Sequence, residues 1–370
     1  MITKRKSLGF FSKLLLGLNI IISTAMLLSY LAPVVNPSDH WVFSFFGLAY
    51  PILLLISLLF IVYWVLIKSL WFLLPVIVIG IGWGILNKNI GLRAAVKPAT
   101  IKDSNAIRIM TYNVHSFKRY GSANDTSTKN EILDIVNHEQ PDIIGFQEFY
   151  TRKKGLYDIV DSLKKILNTN QFYAEYFEGN YLEEEGMAIF SKYPIISHRL
   201  ITLSDDKTSG NQCLVVDVKK GNTVLRFYSV HLQSIHFESE DYTYLKGVSQ
   251  GKTDMHSTKR LGSKLKNAFI KRSAQVLKIK ADAAQCPYPY IISGDFNDTP
   301  SSFAVNKMSD GLKNAFCEKG SGFGKTYNGD FPNFQIDYIM ASPAFNVLNY
   351  DIVEKRLSDH YPVISDVALK

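Results

Sequence analysis

Hydrophobic and polar positions divide the chain into two regions with different rhythms. Up to about residue 87 apolar residues run with almost no polar interruption, whereas from about Asn105 they recur in short blocks with strand or helix periods. The stretch LGFFSKLLLGLNIIISTAMLLSYLAPVV crosses a hydrocarbon core at about 1.5 Å per residue, with Lys13 near its start placed to snorkel. A second apolar block from Trp41 to Leu86 is too long for one span and holds a single charge, Lys68, which divides it into two helices. The expected spans are about 9–34, 43–66 and 69–86, within an all-α transmembrane anchor over 1–87. Three successive spans do not resemble a cleaved signal peptide, and a soluble bundle would show polar helix faces.

After a linker over 88–104, the segment 105–370 alternates strand and helix signals and is long enough for one large core. IRIMTYNV, PDIIGFQEF, GMAIFSKYPI, YIISGDF, QIDYIMAS and HYPVISDVAL read as strands, and CLVVDVKKGNTVLRFYSVHL as a hairpin turning at Gly221-Asn222. KNEILDIVNHEQ, GLYDIVDSLKKIL and KNAFIKRSAQVLKIKADAAQ read as helices, and no internal repeat is present. The fold class is therefore α/β, preceded by three membrane helices.

The net charge of +8 suggests a nucleic-acid binder until it is divided by region. Residues 1–102 hold nine Lys and Arg against Asp39 alone, so the remainder of the chain is neutral. Lys4, Arg5 and Lys6 precede the first span while the loop Asn36–His40 has no Lys or Arg, which places the N-terminus in the cytoplasm and residues 88 onward outside. Lys88, Arg93 and Lys97 after the last span pull the other way, and the first helix decides. Cys213, Cys286 and Cys317 form neither a disulfide framework nor a metal knuckle.

Polar residues at the strand ends carry the chemistry. Asn113 follows RIMTY, Gln147 and Glu148 follow DIIGF, and His231 and Gln233 follow RFYSV. Asp295 and Asn297 follow IIS, Asp337 lies in FQIDYI, and Asp359 and His360 open the last strand. Carboxylates at the ends of buried strands require compensation, and a divalent cation is the economical one. Asp295 and Asn297, two apart on an extended chain, are expected on one side, with Phe296 in the core and Asp298 and Pro300 making a turn.

The ordered series TYNVHS, DIIGFQE, GMAIFSKYPI, SVHLQS, SGDFN, IDYIMAS and LSDHYPV resembles the endonuclease/exonuclease/phosphatase superfamily over roughly 107–369. That superfamily includes pancreatic-type deoxyribonuclease, exonuclease III-type repair nucleases, neutral sphingomyelinases and inositol-polyphosphate 5-phosphatases. The resemblance implies a four-layer sandwich of two mixed β-sheets flanked by helices. It implies Mg2+, with Mn2+ as the alternative, held by Asn113, Glu148 and Asp359. It implies catalytic roles for His231 as proton donor to the leaving oxygen, Asp295 on the attacking water, Asn297 on the phosphoryl oxygen, and His360 with its tautomer set by Asp337. Glu185 is the nearest match to the glutamate that pairs with the second histidine, although Glu183–Glu185 read as a solvated acidic loop; His115 and His236 read as loop histidines.

The expected function is a membrane-anchored, Mg2+-dependent phosphodiesterase. The alternatives are a phospholipid or sphingomyelin phosphodiesterase, an inositol-phosphate monoesterase and, disfavoured by the complete polar set, a non-catalytic binding protein. Ten Lys and Arg against Asp254 between Lys246 and Lys280 favour nucleic acid over lipid as substrate, with Gln250–Leu265 expected as a cationic loop on the catalytic rim. No feature identifies a protein partner.

Overall fold

The structure, a computed structural model, describes residues 8–98, 105–118, 126–180, 182–206, 209–235, 237–329 and 334–370. The helical region consists of α1 (Phe10–Ser29), the single turn α2 (Pro37–His40), α3 (Val42–Leu66), α4 (Leu73–Ile81) and α5 (Trp83–Asn89). By length and composition α1 and α3 can each cross a membrane. The third expected span is bent by 71° between its two pieces. Tyr30 packs into the bend: its hydroxyl donates to the Val78 carbonyl at 2.9 Å, and its ring lies where a side chain at Gly82 would be. Met26, Tyr50, Leu54 and Val78 form a small core, while Ile52, Leu55, Leu59 and Val62 stay exposed, so α3 has no polar face.

The second region contains β1 (Ala106–Asn113), α6 (Thr126–Glu139), β2 (Ile143–Arg152), α7 (Ile159–Leu167), β3 (Gln171–Gly179), β4 (Glu183–Ser191) and β5 (Ile195–Thr202). It continues through β6 (Gln212–Lys220), β7 (Thr223–His231), α8 (Ser239–Ser249), α9 (Met255–Ala283), β8 (Tyr290–Asp295) and α10 (Phe303–Ser309). It ends with β9 (Lys313–Asn314), α11 (Ala315–Lys319), β10 (Asp337–Ala341), β11 (Phe345–Val347), β12 (Asp351–Ile352) and β13 (Val363–Leu369). One sheet has the order β11-β13-β1-β2-β4-β3 with β12 beside β13, and the other β5-β6-β7-β8-β10-β9. β1–β2 and β7–β8 are parallel within otherwise antiparallel sheets, as expected for mixed sheets. Ile109, Ile143 and Met187 of the first sheet share a core with Leu214, Phe227 and Ile339 of the second; on the outer faces Phe146 shares a core with Leu163 of α7, and Phe296 with Val276 of α9.

Several expectations need correction. GMAIFSKYPI is two strands: Glu183–Glu185 open β4 rather than forming a loop, and β5 pairs with β6 in the other sheet. The basic stretch 250–265 is not a loop, because α9 begins at Met255, capped by the Asp254 carboxylate. The linker expected over 88–104 starts inside α5, and its described part lies along the sandwich: Gly91 pairs with Gly322, Arg93 donates to the carbonyls of Phe316 and Cys317, and Lys97 meets Asp351 at 3.3 Å. Residues 99–104 of that linker and His236 lie outside the described residues. The three cysteines are free.

Gly294 of β8 lies opposite Val230 of β7 with no room for a side chain. Its φ is +145°, and a Cβ there would lie 2.0 Å from the Val230 carbonyl oxygen. Gly294→Ala should therefore destabilise the domain by about 2–3 kcal/mol or prevent folding, read as a lower Tm or loss of soluble expression. An unchanged melting curve would contradict this packing.

Candidate active site

The two parallel strand pairs end side by side, which is why their terminal polar residues meet. Asn113 is paired with Gln147 across β1 and β2. In the facing sheet His231, Asp295 and Asp337 are aligned on three adjacent strands, with His231 opposite Asp295 and Asp295 opposite Asp337. Ser358 donates to the Asn113 carbonyl at 2.8 Å and receives the His360 backbone N–H at 3.2 Å, bringing Asp359 and His360 into the same cleft. The structure thus brings Asn113, Glu148, His231, Asp295, Asn297, Asp337, Asp359 and His360 together.

Backbone irregularities aim two of these groups. β2 continues past Glu148 through a bulge: Phe146 pairs with Ala188 and Phe149 with Gly186, so one residue is extra. Glu148 takes a φ of 50° in the bulge, turning its carboxylate into the cleft. Asn297 has a φ of 53°, so it does not reach Asp295 by strand alternation as the sequence suggested. It folds back, its backbone N–H donating to Asp295 Oδ1 at 2.8 Å and its amide to Asp295 Oδ2 at 3.2 Å and the Leu232 carbonyl at 3.0 Å. Phe296 lies in the core as expected.

Asn113 links the two acidic centres, its amide donating to Glu148 Oε1 at 3.0 Å and Asp295 Oδ2 at 3.1 Å. His360 Nδ1 lies 2.9 Å from Asp337 Oδ2, and its Nε2 lies 3.7 Å from Asp295 Oδ2. His231 Nε2 is also 3.7 Å from Asp295 Oδ2, and its Nδ1 lies 3.1 Å from the Gly210 carbonyl, which can only accept. His231 therefore carries a proton on Nδ1 and turns a buried Nε2, without a hydrogen-bond partner, towards Asp295 and Glu148. Glu185 is not its partner; Glu185 instead accepts from Ser116 at 2.8 Å.

Electrostatics follow from crowding. Burial raises the Asp295 carboxyl pKa, with Asp337 adding to the effect against the two histidines. Burial likewise raises Asp359, and Glu148 adds to it. Burial opposes the charge on Glu148 too, but His115 and His231 hold its pKa below the usual range. For His360 burial disfavours the imidazolium, yet Asp337 and Asp295 outweigh it and keep the ring charged. His115 Nδ1 lies 3.3 Å from Glu148 Oε2 and 3.8 Å from Asp359 Oδ1, so one positive group already serves both carboxylates. Glu148, Asp359 and the Asn113 side-chain oxygen, which also accepts the His115 backbone N–H at 3.2 Å, are hard oxygen donors of the type a divalent cation takes. Asp295, Asp337 and His360 form a second compact acidic group, in which His360 Nδ1 is already committed to Asp337.

Two features escaped the sequence reading. His115, read as an ordinary loop histidine, stands between two carboxylates. Arg272 of α9 is buried, lies 3.0 Å from Asp298 and donates to the carbonyls of Gln233 and Asn297. It fixes the turn that carries Asn297, so Asp298 is half of a buried ion pair rather than a turn former alone. No spacing signals a pair joining separate elements.

A sequence model of the Endonuclease/Exonuclease/phosphatase family matches residues 110–360, and another, described only as a domain of unknown function, matches residues 12–89. No curated protein matches. Among solved structures, an endonuclease/exonuclease/phosphatase from Bacteroides vulgatus is 17% identical, covering 72% of this chain and 99% of that one with a TM-score of 0.52. A family protein from Leptotrichia buccalis is 17% identical, covering 71% and 100% with a TM-score of 0.50. Humanized D. rerio TDP2 is 14% identical, covering 71% and 99% with a TM-score of 0.50. These likenesses show the fold, four layers built on two mixed sheets.

Removing one member of the Arg272–Asp298 pair leaves a buried charge. Arg272→Met should cost about 3–5 kcal/mol, and adding Asp298→Asn should recover part of that loss. Thermal unfolding checks both; an unchanged Tm for the single variant would remove Arg272 from its positioning role.

Proposed function

Because this chain belongs to the endonuclease/exonuclease/phosphatase family, we propose that it is a membrane-anchored, Mg2+-dependent phosphodiesterase whose reaction takes place between His231 and His360. The observation that carries the reading is that both Nε2 atoms lie 3.7 Å from the same oxygen, Asp295 Oδ2. A phosphate group entering there meets a charged His360 on one side and His231 on the other. Asp295, whose pKa is raised by burial, is a stronger base than an exposed aspartate and takes a proton from the attacking water. Asn113 and Asn297 hold its Oδ2, and the Asn297 N–H holds its Oδ1. His360, fixed by Asp337, places its positive Nε2 against the phosphoryl oxygens. His231 keeps its Nδ1 proton on Gly210 and delivers a second proton from Nε2 to the departing alkoxide. Mg2+ held by Glu148, Asp359 and Asn113 would supply further charge neutralisation of the phosphoryl group.

The anchoring reading rests on α1 and α3 with their apolar exposed faces, and on how they are arranged. Ser12 near the start of α1 bonds Tyr63 near the end of α3 at 3.0 Å, so the two helices are antiparallel. At the other end Ser38 meets Ser273 at 3.4 Å, and Asn89 donates to Ser301 at 2.9 Å. Lys13 and Lys68 thus lie at the end remote from the sandwich. Lys88, Arg93 and Lys97 at the near end engage Asn306, the Phe316 and Cys317 carbonyls, and Asp351. Cations already engaged by the catalytic domain weigh little in the orientation, which favours a cytoplasmic N-terminus and an extracytoplasmic active site.

Glu148→Gln and Asp295→Asn should each lower turnover of bis-p-nitrophenyl phosphate by roughly two to four orders of magnitude with folding retained, and EDTA should abolish wild-type activity. Full activity in either variant, or in EDTA, would overturn these assignments.

A further inference from the structure

The active-site cleft is neither wholly polar nor separate from the helical region. It is a cavity of about 380 Å3 whose floor carries Glu148, Asp295, Asp359 and His360, and whose walls include Leu48, Phe237, Tyr242, Leu265 and Phe269. Leu48 belongs to α3, so a helix read as membrane-spanning contributes directly to the wall above the reacting groups.

Leu48 is also the first residue of a helical row. Ile52, Leu55, Leu59, Val62 and Leu66 follow at alternating spacings of three and four, which places all six on one face of α3. Each of those five is exposed, from 55% at Val62 to 75% at Leu66. The opposite face, with Tyr50, Leu54, Ser57 and Trp64, is buried. An uncovered apolar strip therefore runs along α3 and ends in the cavity.

The joint between strip and cavity is fixed by α9. Phe45 of α3 packs edge-on against Phe269 with ring centroids 5.4 Å apart, and the Lys266 ammonium lies 5.0 Å from the centre of the Trp41 ring. Three residues past Phe269, Arg272 anchors the turn of Asn297. One rigid helix thus ties the membrane end of α3 to the catalytic turn.

The same helix weakens the electrostatic argument for a polyanion, because three of its cations are engaged within the chain. Arg260 is paired with Glu240 at 2.7 Å and Asp241 at 3.0 Å, and Lys264 with Glu238 at 3.2 Å and Asp241 at 2.7 Å. Lys266 is turned onto Trp41. Arg260, Lys264 and Lys266 are thus engaged within the chain rather than displayed along a groove for phosphates.

We propose that the substrate of this site is a phosphate ester bearing a long hydrocarbon chain, whose chain lies along the exposed face of α3 and enters the cavity beside Leu48 while its phosphate reaches the two histidines. The inference rests on the hydrolase and membrane readings above and adds the substrate class to them. Its test is a set of p-nitrophenyl alkyl phosphodiesters with butyl, octyl and dodecyl chains, which keep one leaving group and vary only the chain. With the full chain reconstituted in phosphatidylcholine vesicles and Mg2+, kcat/KM should rise at least about tenfold from butyl to octyl, because each added methylene is buried against apolar wall. Partition of longer esters into the vesicles would also raise the rate, so Leu48→Trp provides the control: it narrows the cavity, leaves partition unaltered, and should reduce the octyl-to-butyl ratio at least about fivefold. A flat chain-length profile, or an octyl-to-butyl ratio the same in wild type and Leu48→Trp, would overturn the lipid inference and leave the hydrolase intact. A higher kcat/KM for a single-stranded oligodeoxynucleotide than for the octyl ester would overturn it in favour of nucleic acid. No hydrolysis of any of these compounds would overturn the hydrolase reading and the inference with it.

Discussion

Four carboxylates, those of Glu148, Asp295, Asp337 and Asp359, share one cleft, and their mutual repulsion is the constraint round which the site is built. Buried like charges are tolerated only where positive groups and hydrogen-bond donors offset them. Here His360 lies against Asp337, His115 lies between Glu148 and Asp359, and Asn113 bonds Glu148 and Asp295 together. Such a concentration of carboxylates favours added positive charge, the property expected of a metal-dependent phosphoryl site.

The scaffold makes this crowding reproducible. Each sheet contains one central parallel pair, and side chains at the ends of those pairs face one another across the sandwich. Local exceptions then complete the aim: the bulge at Glu148, the left-handed turn at Asn297, and Gly294 pressed against Val230. Of these, Glu148 and Asn297 hold left-handed φ values that non-glycine residues rarely adopt, and surrounding packing maintains them. Arg272 extends the arrangement outward, since it braces the catalytic turn from a helix that also docks against α3.

Strand-terminal motifs made the site readable because each polar residue interrupts an apolar run, and the order of the interruptions is specific even where each alone is weak. The central strands were readable for the same reason. Edge elements were not: β3 is half-buried along most of its length and alternates poorly. The stretch 250–265 looked like a loop because Gly, Ser, Thr and Lys hide helical periodicity. Its helix is stabilised by pairs of Arg260 and Lys264 with residues about twenty positions earlier, a tertiary effect that local propensity does not contain. Arg272–Asp298 and the packing of Tyr30 at Gly82 are likewise contacts between distant segments.

The central claim is that the carboxylate cluster takes a divalent cation through Glu148 and Asp359. Electron paramagnetic resonance of Mn2+ titrated into the full chain tests this without reference to any substrate. The account predicts loss of free Mn2+ signal on adding wild-type protein, competition by Mg2+, and at least about a tenfold weaker affinity in the Glu148→Gln, Asp359→Asn double variant. Equal Mn2+ binding by wild type and the double variant, or none by wild type, would contradict it.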